Sequence, residues 1–222
     1  VAAMSEIVEA VRAGASAEVL AATPMPATTR AVFVRREDVS MFDGLDSRDK
    51  DPRRSLHVGE VDLPELAPDE VFIVVMASSI NFNTVWTSIF EPLPTFGFLD
   101  RLAKEGVWGA RHARDVHVVG SDASGVIVRT GSAVRNWKVG DTVTVHCNHV
   151  DDQDPTSHDD SMLGSNQRIW GYETNFGGLA DLAVVNLLHG FDEARVGPTL
   201  EADLHDGPHL PVLQPFGMAG AP

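Results

Sequence analysis

The stretch VVGSDASGVIVRTGSAVRNWKVGDTVTV, residues 118–145, sets short apolar runs between glycines at fixed offsets. Gly120, Gly125, Gly131 and the pair Gly140–Asp141 punctuate it. Glycine reaches backbone dihedrals that other residues avoid, so it suits tight turns between short strands. Four runs read as strands: VHVVG, SGVIVRTG, DTVTVHC and, further on, GLADLAVV. Short strands joined by glycine turns predict a β-rich α+β chain, organised as a partial β-barrel with minor helices.

The rest of the chain reads around that frame. Ser5 to Ala22 is expected to be helical, with Ile7, Val8 and Val11 on one face. Gly14 can end a first helix and Ser16 can cap a second, which Pro24 and Pro26 stop. TRAVFVRRE and EVFIVVMASSI are expected strands, separated by a polar loop from Ser40 and a proline-containing turn, VDLPELAPDE. The region from Thr87 to His112, with Pro92 and Pro94, reads as irregular. No internal repeat is present.

Composition narrows the partners. With 32 acidic against 17 basic residues, the formal charge is −15, which repels phosphate backbones and argues against nucleic acid. The single cysteine, Cys147, excludes an internal disulfide, and a cytoplasmic home follows most simply. The longest apolar run, from Val71 to Ile80, falls short of the ~18 residues of a spanning helix, so no membrane partner is expected. The N-terminus has no basic start with a long apolar run, so no secretion signal is read there. Five aspartates crowd residues 151–160 but lack the spacing of a calcium loop, and read as a solvated acidic segment.

The glycine pattern of residues 118–145 closely resembles the GroES-like substrate domain of medium-chain dehydrogenase/reductases. That family pairs such a domain with a Rossmann domain for NAD(P)H. Its zinc branch has a histidine where this chain has Ser121. A serine hydroxyl is a poor zinc ligand beside imidazole or thiolate, so no zinc is expected. The nine histidines, among them His57, His146 and His149, read as structural or surface groups. Three further stretches, residues 41–66, MASSINFNTVWTSIFEPLPTFGFLDR (76–101) and RIWGYETNFGGLADLAVV (168–185), resemble crotonyl-CoA carboxylase/reductases. The resemblance runs to about Val185 and divides the chain into an incomplete GroES-like substrate domain, residues 1–185, and an irregular tail, 186–222.

The resemblance implies a chemistry. NADPH reduces an enoyl-CoA thioester at its β-carbon, and the resulting enolate takes up CO2 at the α-carbon. Carbon dioxide has neither charge nor dipole, so holding it needs a small, dry pocket with placed donors. By resemblance Asn83 supplies an amide N–H to a CO2 oxygen, and Glu173 positions a water or polar partner. Tyr172 forms an apolar wall and lends its backbone N–H; relatives often have phenylalanine there. Taken singly, Asn83 is a turn or cap residue, Tyr172 is core and Glu173 is solvated. Only the joined motifs make them catalytic candidates.

Arg48, Lys50, Arg53 and Arg54 sit close together and suit either CoA phosphates or pairing with Asp49 and Asp51. Residues 186–222 contain no strand followed by a glycine-rich phosphate turn opening a helix, so the NADPH-binding domain reads as absent. The chain is then expected to be inactive alone, and either self-associates or is complemented by a Rossmann-domain chain. Two alternatives stay open: a plain enoyl-CoA or quinone reductase domain, and a non-catalytic interaction module derived from such an enzyme.

Overall fold

The computed structural model describes residues 2–149 and 167–186. The acidic segment 151–160 and the tail beyond residue 186 lie outside them. In chain order the elements are α1 (Ala2–Arg12), α2 (Ala17–Ala22), β1 (Thr28–Arg35), β2 (His57–Asp62), β3 (Glu70–Ser78), α3 (Phe82–Ile89), α4 (Thr95–Leu102), α5 (Val107–Ala110), β4 (Val116–Val118), β5 (Ala123–Thr130), β6 (Thr142–Val145), β7 (Asn148–His149), β8 (Arg168–Ile169) and β9 (Leu182–Asn186). No helix among the described residues is long and apolar enough to cross a membrane.

Local sequence explains the N-terminal helices. The Ser16 hydroxyl accepts the Val19 N–H at 3.5 Å and caps α2. Gly14, at φ 65°, turns the chain between the helices. The Arg129 guanidinium then donates to Leu20 O at 2.7 Å and ties the end of α2 to β5.

The four-stranded antiparallel sheet has the order β6-β5-β3-β9. Both of its faces are covered. Val71 and Ile73 of β3 pack with Ile127, Trp170, Ala183 and Val185 on one side. Phe72 and Val74 pack with Val128, Leu182, Val184, Ile7 and Leu20 on the other. Burial on both faces is why β3 reads as an unbroken apolar run rather than an alternation. Each such side chain contributes roughly 1.5–3 kcal/mol of burial free energy. The second sheet, β2-β1-β4, is also antiparallel. It joins the first through an Ala31–Ala180 bridge and the bond from Val32 N to Leu179 O, 2.8 Å.

Two sequence expectations are corrected. Thr87 to His112 is not irregular: it holds the end of α3, all of α4, and α5. Pro94 stands at the N-cap of α4, where proline does not interrupt a helix, and Phe96, Leu99 and Leu102 bury one face at helical spacing. The strand β2 lies where the sequence predicts loop and turn. It is an edge strand with a single buried residue, Val61, so it carries no apolar alternation.

One buried charge organises the join between sheet and helices. Glu70, 1% exposed, opens β3. Its carboxylate accepts from Ala67 N (2.8 Å), Trp108 Nε1 (2.8 Å) and Arg111 Nη1 (2.9 Å). Trp108 and Arg111 belong to α5 and its C-cap, so this carboxylate docks that helix onto the start of β3. Removing one partner of a buried ion pair strands the other without compensation. Glu70→Ala should therefore lower the unfolding free energy by about 3–5 kcal/mol in denaturant titration. A loss below about 1 kcal/mol would show that α5 docks without it.

Candidate active site

The turn after β8 presents Tyr172 and Glu173 and is held mainly by its own backbone. Ile169 O accepts from Tyr172 N (3.2 Å), Glu173 N (2.8 Å) and Thr174 N (3.3 Å). The Glu173 carboxylate reaches back to Ile169 N at 2.8 Å and closes the turn. Glu173 is half-buried, and its carboxylate stays within its own segment. The Tyr172 N–H is likewise spent on Ile169, so it is not free to be lent to a ligand in this conformation.

Glycines press this turn against the strand before it. Gly171 adopts φ 67°, and a Cβ there would lie 2.1 Å from Gly120 O. A Cβ on Gly177 would lie 2.5 Å from the same oxygen. Between these contacts Asn175, 1% exposed, satisfies its amide on backbone. Its Oδ1 accepts from Val118 N (2.9 Å), and its Nδ2 donates to Val116 O (2.8 Å). Two buried histidines support the same turn. His112 Nδ1 accepts from Asn175 N at 3.0 Å, and His117 Nε2 pairs with Thr174 O at 3.1 Å. Burial lowers the His112 pKa from 6.5 to about 3, helped by cationic neighbours that include Arg111. Burial lowers His117 to about 4, against the opposing pull of the Thr174 and Gly171 carbonyls.

Asn83 arrives from a different element. Asn81 caps α3 by accepting Thr84 N at 3.2 Å, which places Asn83 in the first helical turn. The amide of Asn83 donates to Ser121 Oγ at 3.1 Å. Asn81 Nδ2 donates to the same oxygen at 2.7 Å and also to the Asp122 carboxylate. One turn along α3, Trp86 lies on the side of Asn83, since residues three apart share a helix face. Its ring centroid is 6.4 Å from that of Tyr172. Phe98 of α4 stands 6.2 Å from the same ring. Trp86 thus connects the face of α3 that carries Asn83 to the Tyr172 ring.

Tyr172 is 3% exposed, and its hydroxyl has no hydrogen-bond partner among the described groups. Burial raises the phenol pKa, and the neighbouring Glu173 charge adds to that. The ring is therefore a neutral wall with one unspent polar tip. Ile80 and Phe82, on either side of Asn81, are about three-quarters exposed and give the site an apolar rim. A separate cavity of about 260 Å³ lies at the other end of α3, against Phe42, Lys50, Glu91 and Thr95.

The four cations of the polar loop find partners inside the chain. Arg53 pairs with Asp51 at 2.7 Å, Arg48 with Asp46 at 3.5 Å, and Lys50 with Glu91. Arg54 lies over the Phe42 ring, 5.6 Å from its centroid. Sequence reasoning missed Asn81, Trp86, Phe98 and Asp122 as site residues. Only Asn81 carried a local signal, an N-cap residue ahead of a helix. No group of three or more potential metal ligands occurs among the described residues. Gly177–Gly178 lead through Leu179 into β9 and not into a helix, so this turn does not fit a dinucleotide pyrophosphate.

The fold agrees with comparisons to known proteins. The family described as the alcohol dehydrogenase GroES-like domain matches residues 67–189. The chain belongs to this family. It is 49% identical over 183 residues to a crotonyl-CoA reductase of Streptomyces avermitilis, covering 82% of this chain and 41% of that relative. A crotonyl-CoA carboxylase/reductase of Cereibacter sphaeroides is 35% identical over 139 residues, 62% of this chain and 29% of the relative. The structure of the 2-octenoyl-CoA carboxylase reductase CinF in complex with NADP and 2-octenoyl-CoA superposes with a TM-score of 0.78 at 57% identity, covering 82% of this chain and 40% of that one. The likeness to crotonyl-CoA carboxylase/reductases and the GroES-like, β-rich fold expected from sequence are borne out. The chain spans 41% of the length of the Streptomyces avermitilis relative.

Two predictions follow from how this GroES-like domain holds its turn. Both histidine values lie below the ordinary 6.5, so the stability they confer is complete above pH 6.5. It drains as the pH falls from there toward the folded values, by about 1.4 kcal/mol per pH unit for each histidine. Unfolding free energy measured from pH 7 to 5 should decline, and a flat profile would show that neither histidine is buried neutral. Gly171→Ala should cost more than the ~1–2 kcal/mol of a left-handed alanine, because its Cβ also meets Gly120 O. Thermal unfolding checks this, and an unchanged midpoint would contradict the close approach.

Proposed function

We propose that this chain forms the enoyl-CoA and CO2 side of an NADPH-dependent reductive carboxylase. The observation that carries this reading is that α3 sets Trp86 against the Tyr172 ring and, one turn back, ties Asn83 to Ser121. The names of the relatives, a crotonyl-CoA reductase and carboxylase/reductases of crotonyl-CoA and 2-octenoyl-CoA, support the substrate class.

The overall step consumes enoyl-CoA, CO2 and NADPH and yields a carboxylated acyl-CoA and NADP. When bound, the nicotinamide supplies hydride to the β-carbon. The α-carbon then bears the electron pair and forms a bond to the carbon of CO2, whose π pair moves onto oxygen as carboxylate. No proton is taken up at the α-carbon if this bond forms first. Here lies the work of this chain. Asn83 donates an amide N–H to the oxygen that gains charge, and an amide does so without titrating. The buried Tyr172 ring, with Trp86 and Phe98 against it, keeps water from its side of the site, where a proton from water would end the reaction as simple reduction. Glu173 keeps the turn shut through Ile169 and so acts first on the position of Tyr172. Ile80 and Phe82 offer apolar surface for the acyl chain.

The purified chain, given NADPH, crotonyl-CoA and bicarbonate, should show no NADPH oxidation. Sustained turnover would overturn the reading of this chain as the substrate side alone. Joined in frame to the remaining length of the Streptomyces avermitilis relative, the chain should yield carboxylated product. There, Asn83→Ala should reduce carboxylation roughly tenfold to hundredfold more than it reduces hydride transfer. Equal loss of both would favour a plain enoyl-CoA reductase instead.

A further inference from the structure

We propose that Ser121 is a positioning residue: its hydroxyl oxygen, which Asn81 also reaches, tethers the Asn83 amide nitrogen and so sets the direction of its second N–H. The inference rests on the reading of Asn83 as a donor and deepens it.

The amide of Asn81 has one orientation that satisfies its neighbours. Its Oδ1 accepts the Thr84 N–H at 3.2 Å, a bond that only an oxygen can make. Its Nδ2 therefore lies on the other side, where it donates to the Asp122 carboxylate and to Ser121 Oγ at 2.7 Å. Reversal would place an amide oxygen against a carboxylate and leave Thr84 N without its cap. Asp122 is itself fixed: its carboxylate accepts from Ser79 Oγ at 3.1 Å and its backbone carbonyl from Ser78 Oγ at 2.6 Å.

That orientation passes to Ser121, which is 1% exposed and so is not oriented by bulk water. A hydroxyl has two acceptor sites and one proton. Asn81 occupies one acceptor site, and Asn83 Nδ2, 3.1 Å away, occupies the other. With Nδ2 anchored on Ser121, one N–H of Asn83 is spent, and the second keeps a set direction. A donor aimed before the ligand arrives needs no reorganisation when charge develops. Without the Ser121 oxygen the Asn83 nitrogen loses its 3.1 Å tether, and its second N–H no longer has a set direction. The chain thus links strand β3, the helix cap and residue 121 to a single N–H direction.

The test begins with the whole chain labelled with nitrogen-15. The side-chain amide pair of Asn83 is identified by its loss in Asn83→Ala. Ser121→Ala should move that pair toward the positions of a free amide and speed its exchange with water at least tenfold. Ser121→Cys keeps the volume but offers a weak acceptor, and should give an intermediate shift. It also decides the matter if Ser121→Ala does not fold. An Asn83 amide that stays in place in either folded variant would overturn the proposal. A second measurement, in the chain joined to the remaining length of the Streptomyces avermitilis relative, is the ratio of carboxylated to reduced product, which should fall at least fivefold in Ser121→Ala. If the amide is released but the ratio holds, the tether stands and the CO2 role of Asn83 fails. If the amide is not released, the tether fails whatever the ratio.

Discussion

The site depends on a contact between backbones with no side chain between them. Gly171 and Gly177 both lie against the carbonyl of Gly120, closer than any Cβ would permit. That approach seats the turn carrying Tyr172 and Glu173 directly on the segment that begins with Gly120 and continues into Ser121 and Asp122. Asn175 and the buried His117 then fill the hydrogen-bonding needs of the backbone that the approach buries. An unmet backbone group there would cost as much as a lost hydrogen bond, so the polar side chains are as necessary as the glycines.

From that seat two kinds of interaction spread to α3. Apolar contact runs through the Tyr172, Trp86 and Phe98 rings. Hydrogen bonding runs through Asn81, Ser121 and Asp122 to Asn83. The two differ in physical effect. Ring packing excludes water but tolerates small rotations, whereas amide geometry is directional and sets a donor to within a narrow angle. The arrangement combines both effects at one face of α3.

Much of this was legible in the chain. The helices at the N-terminus, the buried run of β3 and the glycine-turned strands all follow from local patterns: a cap at Ser16, a continuous apolar stretch, glycines at turns. The segment from Thr87 to His112 was not legible, because prolines and aromatics masked the spacing of Phe96, Leu99 and Leu102. Edge strand β2 was hidden for the opposite reason: with only Val61 buried, its partner β1 decides its conformation, not its own residues. Asn83, Tyr172 and Glu173 stood out only through resemblance, since each alone has an ordinary structural reading.

Sequence by itself determined the class of fold, the acidic surface and the glycine positions, because these depend on composition and on dihedrals that one residue controls. It also carried the family, through motifs spread over most of the chain. Tertiary structure alone decided that the Tyr172 N–H is spent within its turn, that Glu173 closes that turn, and that Ser121 joins two asparagines. Those facts depend on groups about 40 residues apart, or on a turn whose bonds compete for the same atoms. Hydrogen bonds are fixed by distance and angle in space, and no spacing along the chain encodes either.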